Sequence, residues 1–351
     1  MRTNSLQFVI IGILFYLTGL IVVPVLEAED ETKQSLLNIS GFVDTRYFYD
    51  LNVEQGSFSL DEFELDFAAE LSDMTALQVD LNFREMDSQG DDDSLNFSEI
   101  VEQGFIIVKC PTAENREFQF GKFNAPIGFE SLDPPEMYQH THALVFDLGI
   151  PTNVTGAQVA SSFFNMLDLK LYLVNGWDNN VDNNDELTIG GRLGIRPLEG
   201  INIGFSSIYG SETEDVTQDR MVFDIDGSIA LFRNLLIGFE WNQGSERKVL
   251  PDGEDGQWSG FLVMMNYNLN DHLGFTVRYD MFDDEDGLRT GIKQTVTSYT
   301  LTSLITLSKG ASILIDYRRD ESDEYVFYDK DDDLCKCSQA LVLEFLYCFD
   351  L

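Results

Sequence analysis

Residues 62–84 read EFELDFAAELSDMTALQVDLNFR, which is two alternating runs joined by a short polar turn. In the first run, Phe63, Leu65 and Phe67 alternate with acidic residues. In the second run, the residues from Leu77 to Phe83 alternate with polar ones in the same way. A period of two puts one kind of side chain on each face of an extended strand. The stretch therefore predicts two antiparallel strands, each with one apolar and one polar face.

The same alternation recurs to the end of the chain in about sixteen segments, each near the ~9 to 11 residues that a tilted strand needs to cross a bilayer. The predicted strands are 38–49, 57–71, 76–85, 98–110, 117–123, 155–164, 167–177, 187–196, 201–210, 220–231, 234–243, 257–269, 273–282, 295–307, 311–320 and 339–351. The connections alternate between short ones, as at 72–75, and ones that tend to be long and polar, as at 124–154. This asymmetry is typical of an outer-membrane barrel. We therefore predict an all-β fold, a transmembrane antiparallel up-and-down β-barrel of about 16 strands, which is wide enough for an aqueous channel.

Aromatic residues at the ends of the outward-running strands support a membrane setting. Tyr and Trp rings favour the bilayer interface, where the ring is half buried and the polar atom stays wet. The residues concerned are Tyr47, Tyr49, Trp177, Tyr209, Trp241, Tyr279 and Tyr317. We expect them to form a girdle that faces lipid.

The N-terminus predicts an export signal. Arg2 precedes an apolar run from Phe8 to Val25, and small Ala28 stands at a cleavage position. The run is short and acidic polar sequence follows it, without a stop-transfer pattern. A retained membrane anchor is the alternative. We divide the chain into a signal peptide at 1–28 and an outer-membrane barrel domain at 29–351, in which no run approaches the ~18 apolar residues of a spanning helix.

The composition restricts the partners. The 351 residues carry a net charge of -39, which excludes electrostatic binding to nucleic acid, disfavours docking onto anionic lipid surfaces and suits cations. The four cysteines allow one or two disulfides in an oxidising compartment, or free thiols, and Cys335-x-Cys337 lacks the spacing of a zinc site. They are Cys110, Cys335, Cys337 and Cys348.

The stretch 117–156 reads as a short strand, a long connection at 124–154 and another strand, and the connection is rich in Pro, Gly and acids, without a usable period. A structureless segment of that length is rare in a compact domain unless it is functional. We predict that it is the third external loop of the barrel, folded inward to narrow a pore. The residues predicted at this constriction are Glu130, Asp133, Glu136, His140, His142 and Asp147.

The polar faces of the strands are predicted to line the lumen. The lumen-lining residues are Asp44, Arg46, Glu62, Glu64, Asp66, Glu70, Asp80, Arg84, Arg192, Asp224, Asp226, Glu240, Arg278, Asp316 and Arg318. Acids outnumber bases in this set, so we expect a negative wall. Rings of carboxylates favour cations.

The sequence gives little support for a catalytic or a metal-binding function. No nucleophile motif frames His140 or His142, so neither an enzyme nor a catalytic residue is predicted. The two histidines beside Asp133 and Glu136 resemble a transition-metal site, but two histidines in a loop are more often plain polar residues. The acidic runs at 91–93, 283–286 and 329–333 lack the spacing of a calcium loop and indicate solvated charge, with weak Ca²⁺ or Mg²⁺ bridging to lipopolysaccharide as the alternative. No metal and no cofactor is predicted.

Several stretches resemble the OmpL-like outer-membrane porins, the group called putative β-barrel porin-2. The first is Gly121-Lys122-Phe123 with Pro126-Ile127-Gly128-Phe129-Glu130, and the second is Leu144-Val145-Phe146 with Pro151 and Thr155-Gly156. The third is Asn175-Gly176-Trp177-Asp178 with Asp182-Asn183-Asn184. The fourth is Tyr279-x-x-Phe282-Asp283-Asp284 with Asp286-Gly287-x-Arg289-Thr290-Gly291. Their order and spacing are similar across nearly all of the mature chain. Where that family often has Ser-Arg-Ser, this chain has Thr141-His142-Ala143, so the resemblance does not extend to a basic residue there.

The resemblance implies a passive outer-membrane channel. We predict diffusion of small hydrophilic solutes or ions, with a preference for cations. The alternative is a barrel plugged by its loops that acts as a structural or adhesive protein at the cell surface. The expected partners are the lipid bilayer, lipopolysaccharide and the solutes, and a homotrimer is an open alternative to a monomer.

Overall fold

The structure, a computed structural model, describes residues 37–84, 100–212 and 218–351. The strands in this part of the chain are β1 (Leu37–Asp50), β2 (Gln55–Glu70), β3 (Thr75–Arg84), β4 (Val101–Lys109), β5 (Arg116–Asn124), β6 (Asn153–Phe163), β7 (Leu167–Val174), β8 (Thr188–Leu198), β9 (Ile201–Ser211), β10 (Asp219–Leu231), β11 (Leu235–Glu246), β12 (Gly256–Asn270), β13 (Leu273–Asp284), β14 (Gln294–Ser308), β15 (Ala311–Ser322), β16 (Phe327–Tyr328), β17 (Leu334–Cys335) and β18 (Cys337–Asp350). The predicted signal peptide and the acidic run at 91–93 lie outside the described residues.

Sixteen of these strands close into one antiparallel barrel. Each strand from β1 to β15 pairs with its neighbours in sequence, and β18 pairs with both β15 and β1. At this last seam Asp44 lies opposite Leu346 and Tyr47 lies opposite Leu343. Closure leaves no unpaired strand edge, which a bilayer would not tolerate. The predicted fold class and strand number are confirmed.

The predicted alternation is visible in the exposure of the side chains. In β11, Gly238, Glu240 and Asn242 are buried, whereas Trp241 between them is 40% exposed. Exposed apolar residues such as Leu301 recur on the same side of other strands. We call the side opposite to them the polar face of the barrel wall. No helix among the described residues is long and apolar enough to cross a membrane.

The two ends of the barrel differ in the lengths of their connections, as predicted. At one end, connections within the described residues run from two residues, as at 199–200, to six, at 110–115. At the other end they reach twenty-eight residues, at 125–152, although the first of them, 51–54, has only four.

A β-bulge in β2 changes which residues take the polar face. Asp44 pairs with Glu62 and Thr45 pairs with Leu60, so Asp61 is the extra residue. Below the bulge the polar face carries Glu62, whereas above it Leu60 is 50% exposed on the opposite face. A bulge adds one residue to a strand and so reverses the parity. The bulge thus accounts for two acidic residues in succession, Asp61 and Glu62, at this point of the strand.

The structure corrects four expectations about the connections. The segment 125–152 is not structureless, because it holds a 3-10 helix, Pro134–Glu136, and a short helix α1, Leu144–Gly149. Trp177 does not face lipid: it is 8% exposed and packs edge-on against Trp258, with ring centroids 6.2 Å apart.

Asp284 is not a solvated loop charge, because it is fully buried and its carboxylate accepts backbone N–H bonds of Leu288, Arg289 and Thr290 at 2.7–3.0 Å. In the last long connection, β16 and β17 form an unpredicted hairpin. The four cysteines, which lie in the described part, are free thiols in the structure.

Candidate functional site

The segment 125–152, called loop 3 below, carries all the residues predicted at the constriction. Its apolar side chains are buried against the barrel wall between β5 and β13. The loop contributes Ile127, Phe146 and Ile150, the wall contributes Phe123, Val154, Tyr172, Val174, Ile208, Val222, Trp258 and Phe282, and Trp177 joins from the connection after β7. A second cluster joins Ala143 and Val145 to Leu262 and Met264 of β12. Burial of this surface stabilises the loop against the wall through the hydrophobic effect.

The arginine wall, formed by β13 and β15, binds loop 3 through charged hydrogen bonds. Arg278, with a side chain 0% exposed, donates from Nη1 to Glu130 Oε1 at 2.8 Å and from Nη2 to the His142 carbonyl oxygen at 3.0 Å. Its Nε donates to Asp280 Oδ2 at 3.0 Å. Arg318 donates from Nη1 to the same His142 carbonyl at 2.8 Å. Charge-assisted bonds are roughly twice as strong as neutral ones.

The backbone of loop 3 is also bound by carboxylates of the wall. Glu240 Oε2 accepts the N–H of Phe129 at 2.7 Å, and Asp224 Oδ1 accepts that of Gly128 at 3.3 Å. Asp280 Oδ1 accepts the N–H of Leu144 at 2.8 Å. These predicted lumen carboxylates are therefore hydrogen-bond acceptors for the loop.

The carboxylate cluster, which consists of Glu62, Glu64, Glu102 and Asp133, lies where β2 and β4 meet the other side of the loop. The three glutamates are buried, and Asp133 touches Glu102. Asn82 of β3 donates to Glu64 at 3.0 Å and to Glu102 at 2.7 Å, and it also contacts Glu62.

Burial, and then the neighbouring carboxylate of Glu102, raises the pKa of Asp133 to about 9. Asp133 thus carries a proton at neutral pH when nothing else neutralises the cluster. Arg84, half exposed, lies 3.3 Å from Glu62 and from Glu102.

His140 connects the loop to the seam of the barrel. Its Nδ1–H donates to Glu344 Oε2 of β18 at 2.7 Å, and Arg46 of β1 donates to its Nε2 at 3.0 Å. Burial lowers the pKa of His140, but the hydrogen bond to Glu344 and the charges of Glu344 and Asp44 outweigh it, so the pKa is raised. A metal-ligating geometry is also present here, since Asp44, His140 and Glu344 offer ligand atoms within 4.8 Å of one another.

The remaining predicted residues are dispersed. Glu136 and Asp147 are exposed on the 3-10 helix and on α1. His142 stacks on Phe146, with ring centroids 4.2 Å apart, and its Nε2 lies 2.9 Å from the Ser131 carbonyl oxygen. His140 and His142 therefore do not share a ligand site with each other.

The other predicted lumen residues have local partners. Arg192 binds Asp226, and Arg318 also binds Asp320. Three carboxylates accept hydrogen bonds from nearby polar side chains: Asp66 from Ser40, Asp80 from Gln78 and Gln103, and Asp316 from Thr302. Glu70 is exposed at the end of β2.

Several residues of the site were missed by the sequence analysis. Glu344 lies between apolar Leu343 and Phe345, so the period of two would have found it. Glu102 is the extra residue of a β-bulge opposite Asp80 and Leu81, which local alternation does not show. Asp61 could not be placed without the β-bulge in β2, because it is the extra residue of that bulge. Apolar residues on both faces of β12, including Leu262 and Met264, signal that something packs against its polar face.

Charge is unbalanced in the interior. Among the described residues, thirteen carboxylate side chains are buried, against one cationic side chain, that of Arg278. Arg46, Arg192 and Arg318 are partly buried, and each has a carboxylate partner within 3.0 Å. The arginines therefore neutralise individual carboxylates, and buried carboxylates still outnumber buried cationic side chains among the described residues.

Comparisons with known proteins agree with this fold. The family model described as "Putative beta-barrel porin-2, OmpL-like" matches residues 36–347. No curated protein matches the sequence.

Among solved structures, the anion-selective porin of Comamonas acidovorans aligns with a TM-score of 0.64 and 11% identity, over 90% of this chain and 100% of that one. The outer-membrane channel DcaP of Acinetobacter baumannii aligns with 0.65 and 12%, over 90% and 97%. The trimer form of OmpT of Vibrio cholerae aligns with 0.62 and 13%, over 90% and 99%. These likenesses concern the fold.

Proposed function

Since the chain belongs to the family of putative beta-barrel porin-2, OmpL-like proteins, and is thus a porin-like channel of the outer membrane, we propose that it passes small hydrophilic solutes and ions by diffusion and prefers cations. No group in the interior is proposed to be catalytic. We further propose that the end with the long connections faces the exterior of the cell.

We propose that loop 3 folds into the lumen and narrows it. This is supported by its contacts, because its partners Glu240, Arg278 and Arg318 all belong to the polar faces of the strands. A loop lying outside the barrel would not reach those side chains. Exposed Glu136 and Asp147 would then stand on the loop beside the path of the solute.

The cation preference rests on the charge imbalance among buried side chains. Thirteen buried carboxylates against one buried guanidinium support a negative wall. The proposed preference differs from the selectivity of the porin of Comamonas acidovorans, which has a similar fold and is described as anion-selective.

The zero-current potential across a KCl gradient in a planar bilayer tests this proposal. We expect the sign of cation selectivity, weakening from 0.1 M to 1 M salt as the Debye length shrinks from ~10 Å to ~3 Å. Asp147→Asn should reduce the potential, whereas Asp331→Asn, at the exposed end of the last long connection, should not. An anion-selective sign at neutral pH would contradict the proposal, and an absence of current would favour the plugged barrel.

A homotrimer is proposed as the assembly, by likeness to the trimer form of the Vibrio cholerae protein. Sedimentation of the detergent-solubilised protein distinguishes it from a monomer. The path of the solute lies within each barrel, so the proposed channel does not depend on the result.

A further inference from the structure

The carboxylate cluster brings more negative charge together than its partners neutralise. Glu62, Glu64 and Glu102 each offer an oxygen, and these oxygens lie within 4.8 Å of one another. All three residues are at most 7% exposed. Asp133 adds a fourth carboxylate in contact with Glu102. The nearest guanidinium, that of Arg84, is half exposed and lies 3.3 Å away, so it offsets one charge weakly.

Two side chains donate hydrogen bonds to the cluster. The Nδ2 of Asn82 lies within hydrogen-bond distance of oxygens from all three glutamates, although an amide NH₂ has only two hydrogens. The Nη2 of half-exposed Arg84 donates to Glu62 and to Glu102 at 3.3 Å. Three carboxylate oxygens that converge on one point are the arrangement that a cation requires, and the amide nitrogen of Asn82 lies at that point.

A second observation is independent of the clustering. The Oδ1 of Asn82 and the Oε1 of Glu102 are buried and have no hydrogen-bond partner among the described residues, and each residue is only 5% exposed. Asp133 Oδ1 is also buried and has no hydrogen-bond partner among the described residues. Buried oxygens without partners cost stability. A half-turn of the Asn82 amide exchanges its nitrogen and oxygen, and only a cation makes an oxygen favourable among three carboxylates.

We propose that the carboxylate cluster binds one hard divalent cation, Ca²⁺ in preference to Mg²⁺. The ligands are Glu62, Glu64, Glu102, Asp133 and the side-chain oxygen of Asn82. Four carboxylates and an amide oxygen suit Ca²⁺, which takes about six to eight oxygen ligands, whereas Mg²⁺ keeps several water ligands and usually binds only about one or two carboxylates. The ion connects β2, β3 and β4 to loop 3 and replaces a repulsion between like charges.

Isothermal titration calorimetry of the full chain, refolded in detergent without lipopolysaccharide and stripped with a chelator, tests the proposal. CaCl₂ should bind at one site per chain with a Kd below about 1 mM, and MgCl₂ should bind more weakly. Glu102→Gln should weaken Ca²⁺ binding about tenfold or more. Asp133→Asn, which changes no wall strand, should weaken it as well. Asp316→Asn is the matched control, a buried carboxylate bound to Thr302 outside the cluster, and should bind as wild type does.

Three outcomes would overturn the site. They are an absence of Ca²⁺ binding by the folded barrel, wild-type affinity in both Glu102→Gln and Asp133→Asn, and an equal loss of affinity in Asp316→Asn. Because the titration measures binding without current, its result is independent of whether the pore prefers cations.

Discussion

Loop 3 contacts groups of opposite charge at two places in the barrel, the arginine wall and the carboxylate cluster. The arginine wall donates from Arg278 and Arg318 to the loop, with partners at 2.8–3.0 Å for Glu130 and the His142 carbonyl. The carboxylate cluster instead sets Asp133 of the loop against Glu102 of the wall, acid against acid. On the arginine side, these charged hydrogen bonds help to hold the loop in place. The other side contributes negative charge at a cost in stability.

The largest effect is expected when Arg278, the central donor of the arginine wall, is replaced. Arg278→Gln leaves the buried Glu130 and Asp280 without a cationic partner, and loss of one member of a buried ion pair costs about 3–5 kcal/mol. Denaturant unfolding of the reconstituted protein, followed by tryptophan fluorescence, measures it. Arg247→Gln is the control, because Arg247 is 55% exposed and its pair with Asp219 should contribute at most ~1 kcal/mol. Equal losses in both variants would mean that Arg278 does not secure the loop.

A smaller effect is expected where the loop approaches β11 closely. A Cβ added at Gly238 would lie 2.1 Å from the ring of Phe129, so Gly238→Ala must displace that ring. Overpacking of this kind costs about 1–3 kcal/mol. We expect lower stability and an altered single-channel conductance. Gly194→Ala is matched, since its Cβ would meet atoms no closer than 3.6 Å, and an identical conductance in both variants would show that loop 3 does not depend on this contact.

The smallest effect concerns His140 at the seam. The groups that face it are Asp44, Arg46, Asp61, Asp316 and Glu344. Because the folded protein raises the pKa of His140, its protonation stabilises the fold fully below the ordinary value of about 6.5. That contribution is lost as the pH rises through the raised value.

The denaturation midpoint, measured across this pH range, should fall more steeply in wild type than in His140→Gln. His142→Gln is the control, since its ring contacts Phe146 and not the seam. Parallel profiles for wild type and His140→Gln would show that protonation of His140 does not contribute to the stability of the fold.

The strands could be predicted from sequence and the interior contacts could not, for one physical reason. Alternation such as that of Phe63 to Phe67 is local, so it identifies a strand and its two faces within a few residues. Arg278 and Glu130 are 148 positions apart, and no local pattern connects them. A six-residue helix such as α1 and two-residue strands such as β16 are too short to show a period. Asp284 lies in an acidic run, and only the folded turn shows that it binds backbone N–H groups.

Pairing of the first strand with the last one also sets an order of events. Thr45 and Phe345 come together across 300 positions, so the chain must close nearly its whole length before the seam forms. The entropy of so large a loop and the high contact order make this a slow step. The bond from His140 to Glu344 joins positions 204 apart and needs β18 in place. Loop 3 is therefore fastened at the seam only after closure, and a chain that has not received its final strand holds the loop only through its contacts with the earlier strands.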